Sequence, residues 1–122
     1  MLPIFTGDFS FTAHLWDKEG NESVVPVPEH LACRNVAHAI REEANARSAQ
    51  VFTLNEHGER VTWGFYVAYK NGGSSSYHEF SPKDGTRAWN RIINDNDVRE
   101  ARLQRWEGGQ VTSRMEFKAE GK

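Results

Sequence analysis

The chain opens on alternation. Phe9-Ser10-Phe11-Thr12-Ala13-His14-Leu15-Trp16 places an apolar side chain at every second position, the period of a strand with one buried face. Asp17-Lys18-Glu19-Gly20-Asn21 reads as a turn, and Glu22 to Val27 as a second strand closed by Pro26 and Pro28. The period then changes. Ala32, Cys33, Val36, Ala39, Ile40 and Ala44 recur three and four apart and predict one helix from about Pro28 to Arg47. Pro28 suits its first turn, Glu29 its positive end and Arg47 its negative end.

A hairpin comes next: Gln50–Leu54, the turn Asn55-Glu56-His57-Gly58, then a long strand from Arg60 to about Lys70 with Val61, Trp63, Phe65, Val67 and Tyr69 on one side. Asn71-Gly72-Gly73 suits a tight hairpin, because Asn-Gly accepts the positive φ angles such turns need. Ser75–Phe80 returns as a strand. Ser81-Pro82-Lys83-Asp84 then reads as a helix start: a capping serine, a proline at the first helical position and a capping-box acid at the third. This helix runs to about Asn94, with Ala88, Trp89, Ile92 and Ile93 inward. Asp97 with Glu100 fits a further helix, but a strand from Val98 to Trp106 makes Glu107-Gly108-Gly109-Gln110 a hairpin turn. Val111, Ser113, Met115 and Phe117 then alternate down its partner.

These elements predict an α+β fold: a single domain over residues 1–118, with a mostly antiparallel sheet of about seven strands and two helices on one face. Residues 119–122 read as a loose tail. The order also fits an internal ββαββ-type duplication with an offset drifting over about 50–54 residues. It sets Phe11, Gly20, Pro28, Ile40, Ala49 and Val61 opposite Phe65, Gly73, Pro82, Ile92, Ala101 and Val111.

Composition narrows the classes. A length of 122 residues suits one domain. With only 38% hydrophobic residues but four Trp and seven Phe, the core is expected to be small and aromatic-rich. The net charge of -2 argues against a dedicated duplex-DNA binder. One cysteine, Cys33, cannot close an intrachain disulfide, no apolar run is long enough to span a bilayer, and no signal peptide is read at the start. The expected location is cytoplasmic, with no membrane partner.

Candidate chemistry is sparse. His30 and Cys33 share a face of the predicted helix and His38 lies eight positions from His30, but zinc needs three or four converging ligands, so no metal is expected. Ser74-Ser75-Ser76 precedes His78 without a nucleophile elbow, an orienting acid or oxyanion donors. The carboxylate pairs Glu42-Glu43 and Asp95/Asp97 fall on a solvated helix face and in a loop, and no glycine-rich phosphate loop is present. No catalytic residue and no cofactor are expected.

Strand parity supplies the stronger candidate. With both helices on one face, the other carries His14, Trp16, Tyr66, Lys70, Arg102, Gln104, Trp106 and Arg114. Trp, Tyr and Arg are enriched at binding hot spots. The expected binding residues are therefore Trp16, Tyr66, Arg102, Gln104, Trp106 and Arg114, with Arg87 and Arg91 on the second helix as a subsidiary patch. The expected function is non-catalytic binding of another protein or of a second copy, by a small interaction or inhibitor-type protein. Compact chains of this kind are common among phage and mobile-element accessory proteins. One alternative is binding of single-stranded nucleic acid or a nucleotide on the same face, aromatics stacking on bases and arginines meeting phosphates. A second is a small hydrolase built on Ser76, His78 and the carboxylates.

Overall fold

The computed structural model describes residues 2–119. Seven strands, β1 (Ser10–Trp16), β2 (Glu22–Pro26), β3 (Ser48–Leu54), β4 (Arg60–Tyr69), β5 (Ser74–Glu79), β6 (Val98–Glu107) and β7 (Gln110–Lys118), form one antiparallel sheet. Two helices, α1 (Arg34–Ala44) and α2 (Pro82–Ile93), cover one of its faces. The fold class is as expected, and Val98–Glu107 is a strand. The alternation Phe11, Ala13, Leu15 in β1 and Val61, Trp63, Phe65, Val67 in β4 points inward, and all seven are buried. Ala119 continues the β6–β7 edge through its N–H to the Arg99 carbonyl; the remainder of the expected tail, 120–122, lies outside the described residues.

The strand order is β2-β1-β3-β4-β6-β7, with β5 also paired to β4. β3 meets β4 at only two register positions, Thr53↔Val61 and Leu54↔Arg60. Beyond them β5 takes over the same edge of β4, from Trp63↔Glu79 to Ala68↔Ser74. The sheet therefore forks. The buried Thr53 hydroxyl donates to the Phe80 carbonyl at 2.7 Å, and the Phe52 and Phe80 rings meet edge-on at 5.7 Å, tying the two arms together.

A single shift of 52 positions carries the first half of this topology onto the second. Thr12↔Pro26 becomes Gly64↔His78, Ser10↔Leu54 becomes Thr62↔Trp106, and Thr53↔Val61 becomes Arg105↔Ser113. The hairpin turns follow the same shift: Asp17 N–H bonds Asn21 O and Tyr69 N–H bonds Gly73 O, with Gly20 and Gly72 at φ 89° and 95°. Ile40 and Ala49 match Ile92 and Ala101, as expected. The drifting offset is corrected: Phe11 corresponds to Trp63 rather than Phe65, and Pro28 to Phe80 rather than Pro82. Backbone pairing sets the equivalence without a gap as far as Thr53↔Val61 and Arg105↔Ser113; at the next position it breaks, since Leu54 pairs with Arg60 but Trp106 pairs with Val111 and not Thr112.

Each half has its own core. α2 contributes Ala88, Trp89 and Ile92 to a cluster with Trp63, Phe65, Val67, Ala101 and Leu103. The N-terminal segment joins it: Trp63 Nε1 donates to the Ile4 carbonyl at 2.7 Å, and Phe5 lies so close to Gly85 that a Cβ there would come within 2.7 Å of its ring. α1 contributes Ala37 to a smaller cluster with Phe11, Ala13, Val27, Ala32 and Val51, and Phe9 packs against both.

Several boundaries differ from expectation. The first helix begins at Arg34. Glu29–Leu31 is a separate 3-10 turn, and Cys33 is fully extended. The break turns Ala32 into the core, and the cap comes from across the molecule: Asp84 Oδ2 accepts the Arg34 N–H at 2.9 Å. Ala39 and Ala44 are exposed, and Arg47 lies past a left-handed Asn45, its N–H bonded to the Trp16 carbonyl. Lys70 falls beyond β4, its N–H on the Asp97 carbonyl. A register slip between Arg105 and Trp106 sets Val111 opposite Trp106, so it does not join Met115 and Phe117 against the core.

Candidate functional site

Residues paired across antiparallel strands share a face, and the register therefore defines what stands opposite the helices. Tyr66 pairs with Ser76 on one side and Arg102 on the other. Gly64 pairs with His78 and Gln104, and Gln104 with Arg114. Thr62 pairs with Trp106. Tyr66, Arg102, Gln104, Trp106 and Arg114 thus form one group on the open face of β4, β6 and β7. The Arg102 guanidinium lies 4.5 Å from the centroid of the Tyr66 ring, a cation–π contact that covers one side of it. Tyr66, Gln104 and Trp106 are half-buried, and Arg102 and Arg114 exposed.

A recess of about 330 Å³ sits in the middle of the group. Gly64 is its floor, and Tyr66, Ser76, His78, Arg102, Gln104 and Trp106 surround it. Among the described residues no carboxylate lines it. Ser76 and His78 do meet there, but no acid is present among the lining residues to orient the imidazole, so the third member of a triad is missing.

No protein-family model, no curated protein and no solved structure matches this chain. What the site can do follows from its own residues.

The other expected residues stand apart. Trp16 is on the same face but at the far end of β1, paired with Ser48 and Glu22 and beside the His14 ring at 6.0 Å. β3 reaches β4 only through its opposite end, so Trp16 is not continuous with the group around Tyr66. Arg87 and Arg91 are exposed on α2, across the sheet from the open face. His30 lies in the 3-10 turn, Cys33 in extended chain and His38 on α1, so the shared helix face expected for His30 and Cys33 does not form. Among the described residues no three His, Cys, Asp or Glu side chains gather as a metal would require. No helix there is long and apolar enough to cross a membrane.

Two features escaped sequence reasoning. The first is Gly64, whose signal was a glycine inside the otherwise β-branched and aromatic run Val61-Thr62-Trp63-Gly64-Phe65-Tyr66-Val67. The second lies at the fork, on the helix side. Glu79 points into a crevice of about 350 Å³ with Arg34, His38, Arg41 and Asp84 on its walls. Its side chain is 8% exposed and accepts from Arg34 Nη2 at 2.5 Å. Burial pushes the Glu79 carboxyl above the usual carboxylate range, and the Asp84 charge adds to this while Arg34 pulls against it. Glu107, near the β6–β7 turn, shifts the other way. Burial would raise it, but hydrogen bonds from Thr112 and Asn55 and the charge of Arg105 outweigh that and lower it.

Proposed function

We propose that the protein is a cytoplasmic, non-catalytic binding module that docks another protein, a second copy of itself included, on the open face of its second half. One observation carries this reading. Tyr66, Arg102, Gln104, Trp106 and Arg114 stand side by side on that face, and among the described residues none of their side chains has a hydrogen-bond partner. Trp, Tyr and Arg are the residue types enriched at binding hot spots, and the sheet fixes the positions from which these project.

The charge pattern favours protein over nucleic acid. Arg102 is paired across β6–β7 with Glu116, and Glu100 with Lys118, so the face alternates in sign. A mixed field of this kind suits a polar interface rim, whereas a phosphate backbone calls for a continuous basic track.

The test is the oligomeric state by native mass spectrometry over a range of concentrations, for the wild type and for Tyr66→Ala/Trp106→Ala. The expected result is an assembly that the double variant loses while keeping its far-ultraviolet circular dichroism, with Trp16→Ala still assembling. A wild-type protein that stays monomeric overturns self-association, and a double variant that assembles normally removes this face. Binding of a single-stranded oligonucleotide that weakens steeply with salt would replace the reading by the nucleic-acid one.

A further inference from the structure

The two register-matched halves differ sharply at one place on the open face. In the first half the position equivalent to Gly64 is Thr12, and its neighbours are His14, Pro26, Phe52 and Leu54. That place is filled. Phe52 is 5% exposed, with the His14 ring edge-on at 4.7 Å and the Arg60 guanidinium 3.9 Å from its centroid. In the second half the same four neighbours are Tyr66, His78, Gln104 and Trp106, and the space between them is open.

Gly64 does not serve its own backbone. It lies within the unbroken part of β4, paired on both sides, and is not among the glycines with positive φ. The backbone alone would favour alanine there, since glycine in a strand loses more freedom, but a Cβ would crowd two neighbouring rings. What glycine provides is room. A Cβ at this position would lie 3.2 Å from His78 Nε2 and 3.3 Å from Trp106 Nε1. Two ring nitrogens from flanking strands therefore converge on one point above the strand. The indole N–H can only donate, as can the Arg102 guanidinium at the rim, and Gln104 and Ser76 add further donors. A recess of about 330 Å³ is at the small end of ligand sites and suits a single ring.

We propose that the Gly64 recess binds a small planar carboxylate. Its oxygens accept from Trp106 Nε1–H and His78 Nε2–H, and Arg102 supplies the opposing charge. This goes beyond the docking of a partner protein and needs nothing from across the face.

Benzoate is the probe, followed through the Trp106 indole N–H in ¹H–¹⁵N spectra, with that resonance assigned by its loss in Trp106→Phe. The expected result is a saturable shift in the wild type, at least about tenfold weaker for the neutral isostere benzamide, as the loss of a charge-assisted contact requires. Gly64→Val fills the recess and is expected to abolish the shift while keeping a dispersed spectrum. Trp106→Phe, followed through the His78 ring signals, is expected to weaken binding about tenfold, and decides the matter should Gly64→Val fail to fold. No saturable shift, undiminished binding by folded Gly64→Val, equal binding of benzamide, or tighter binding of inorganic phosphate each overturns the proposal. A protein that binds benzoate yet stays monomeric keeps this site and loses self-association, while one that assembles but ignores benzoate loses this site alone.

Discussion

Glu79 brings a carboxylate to the junction of the two halves, where little water reaches it; Arg34 answers its charge by direct contact and Arg91 more weakly from a distance. Glu79 is buried but the Arg34 side chain is 71% exposed, so the attraction is weakened by solvent and does not fully offset the cost of burying the carboxylate. The raised carboxyl means that the folded protein holds this proton more tightly than the unfolded chain does. The associated stability is complete at acid pH and is lost as pH rises through the range above the ordinary carboxylate value. Glu107 works in the opposite sense, because its lowered carboxyl contributes stability that disappears on acidification. Glu79→Gln keeps an oxygen for Arg34 and removes the charge. In urea melts at stepped pH, the variant is expected to gain on the wild type as pH rises from acid to neutral. A constant difference at all pH values would show that the carboxylate is fully compensated.

At the level of elements, Asp84 does two jobs. It sits in the first turn of α2, where its backbone N–H and carboxylate both bond the Ser81 hydroxyl group. It also accepts the first N–H of α1, which has no side-chain cap of its own. The capping box at Ser81–Asp84 was readable because its partners are three residues apart. The cap on α1 was not, because Arg34 and Asp84 are 50 residues apart and meet only once the sheet has formed. Helical periodicity likewise counted Ala32 and Cys33 into α1, since spacing records which side chains face inward and not where the backbone leaves the helix. Asp84→Ala is expected to cost more than a single cap, about 2 kcal/mol or above, against about 1 kcal/mol for an ordinary cap residue such as Asn at an exposed helix start. Chemical denaturation followed at 222 nm measures it. A loss no larger than one cap would mean that α1 does not depend on the distant carboxylate.

The whole molecule is two copies of one ββαβ plan joined through two residue pairs of β3 and β4, with β7 added as a further edge. Their cores are unequal. The second half buries Trp63, Trp89, Phe65 and Leu103 with the N-terminal Phe5, while the first relies on Phe11, Val51 and several alanines. Its outermost strand, β2, is exposed along its length. Native-state hydrogen exchange in low denaturant is therefore expected to show β1–β3 and α1 opening at lower free energy than β4 and β6. A single common opening energy would make the fork as firm as a full strand pair.

Much of this was legible along the chain. Alternation placed β1, β4 and β7, because a half-buried strand writes its burial at every second residue, and turn and proline signals placed the other four. The same parity put Tyr66, Arg102, Gln104, Trp106 and Arg114 on one face. The correspondence of the halves showed through at Ile40/Ile92 and Ala49/Ala101, where register-equivalent positions carry the same side chain. Three things depended on the tertiary structure. The shift of 52 emerged only from backbone pairing, which does not depend on side-chain identity. The separation of Trp16 from the rest of the face came from the fork, a matter of which strand edge is free when β5 arrives. The recess at Gly64 is a space bounded by side chains from β4, β5 and β6, and a vacancy shared by three strands leaves no mark in any one of them beyond a single glycine.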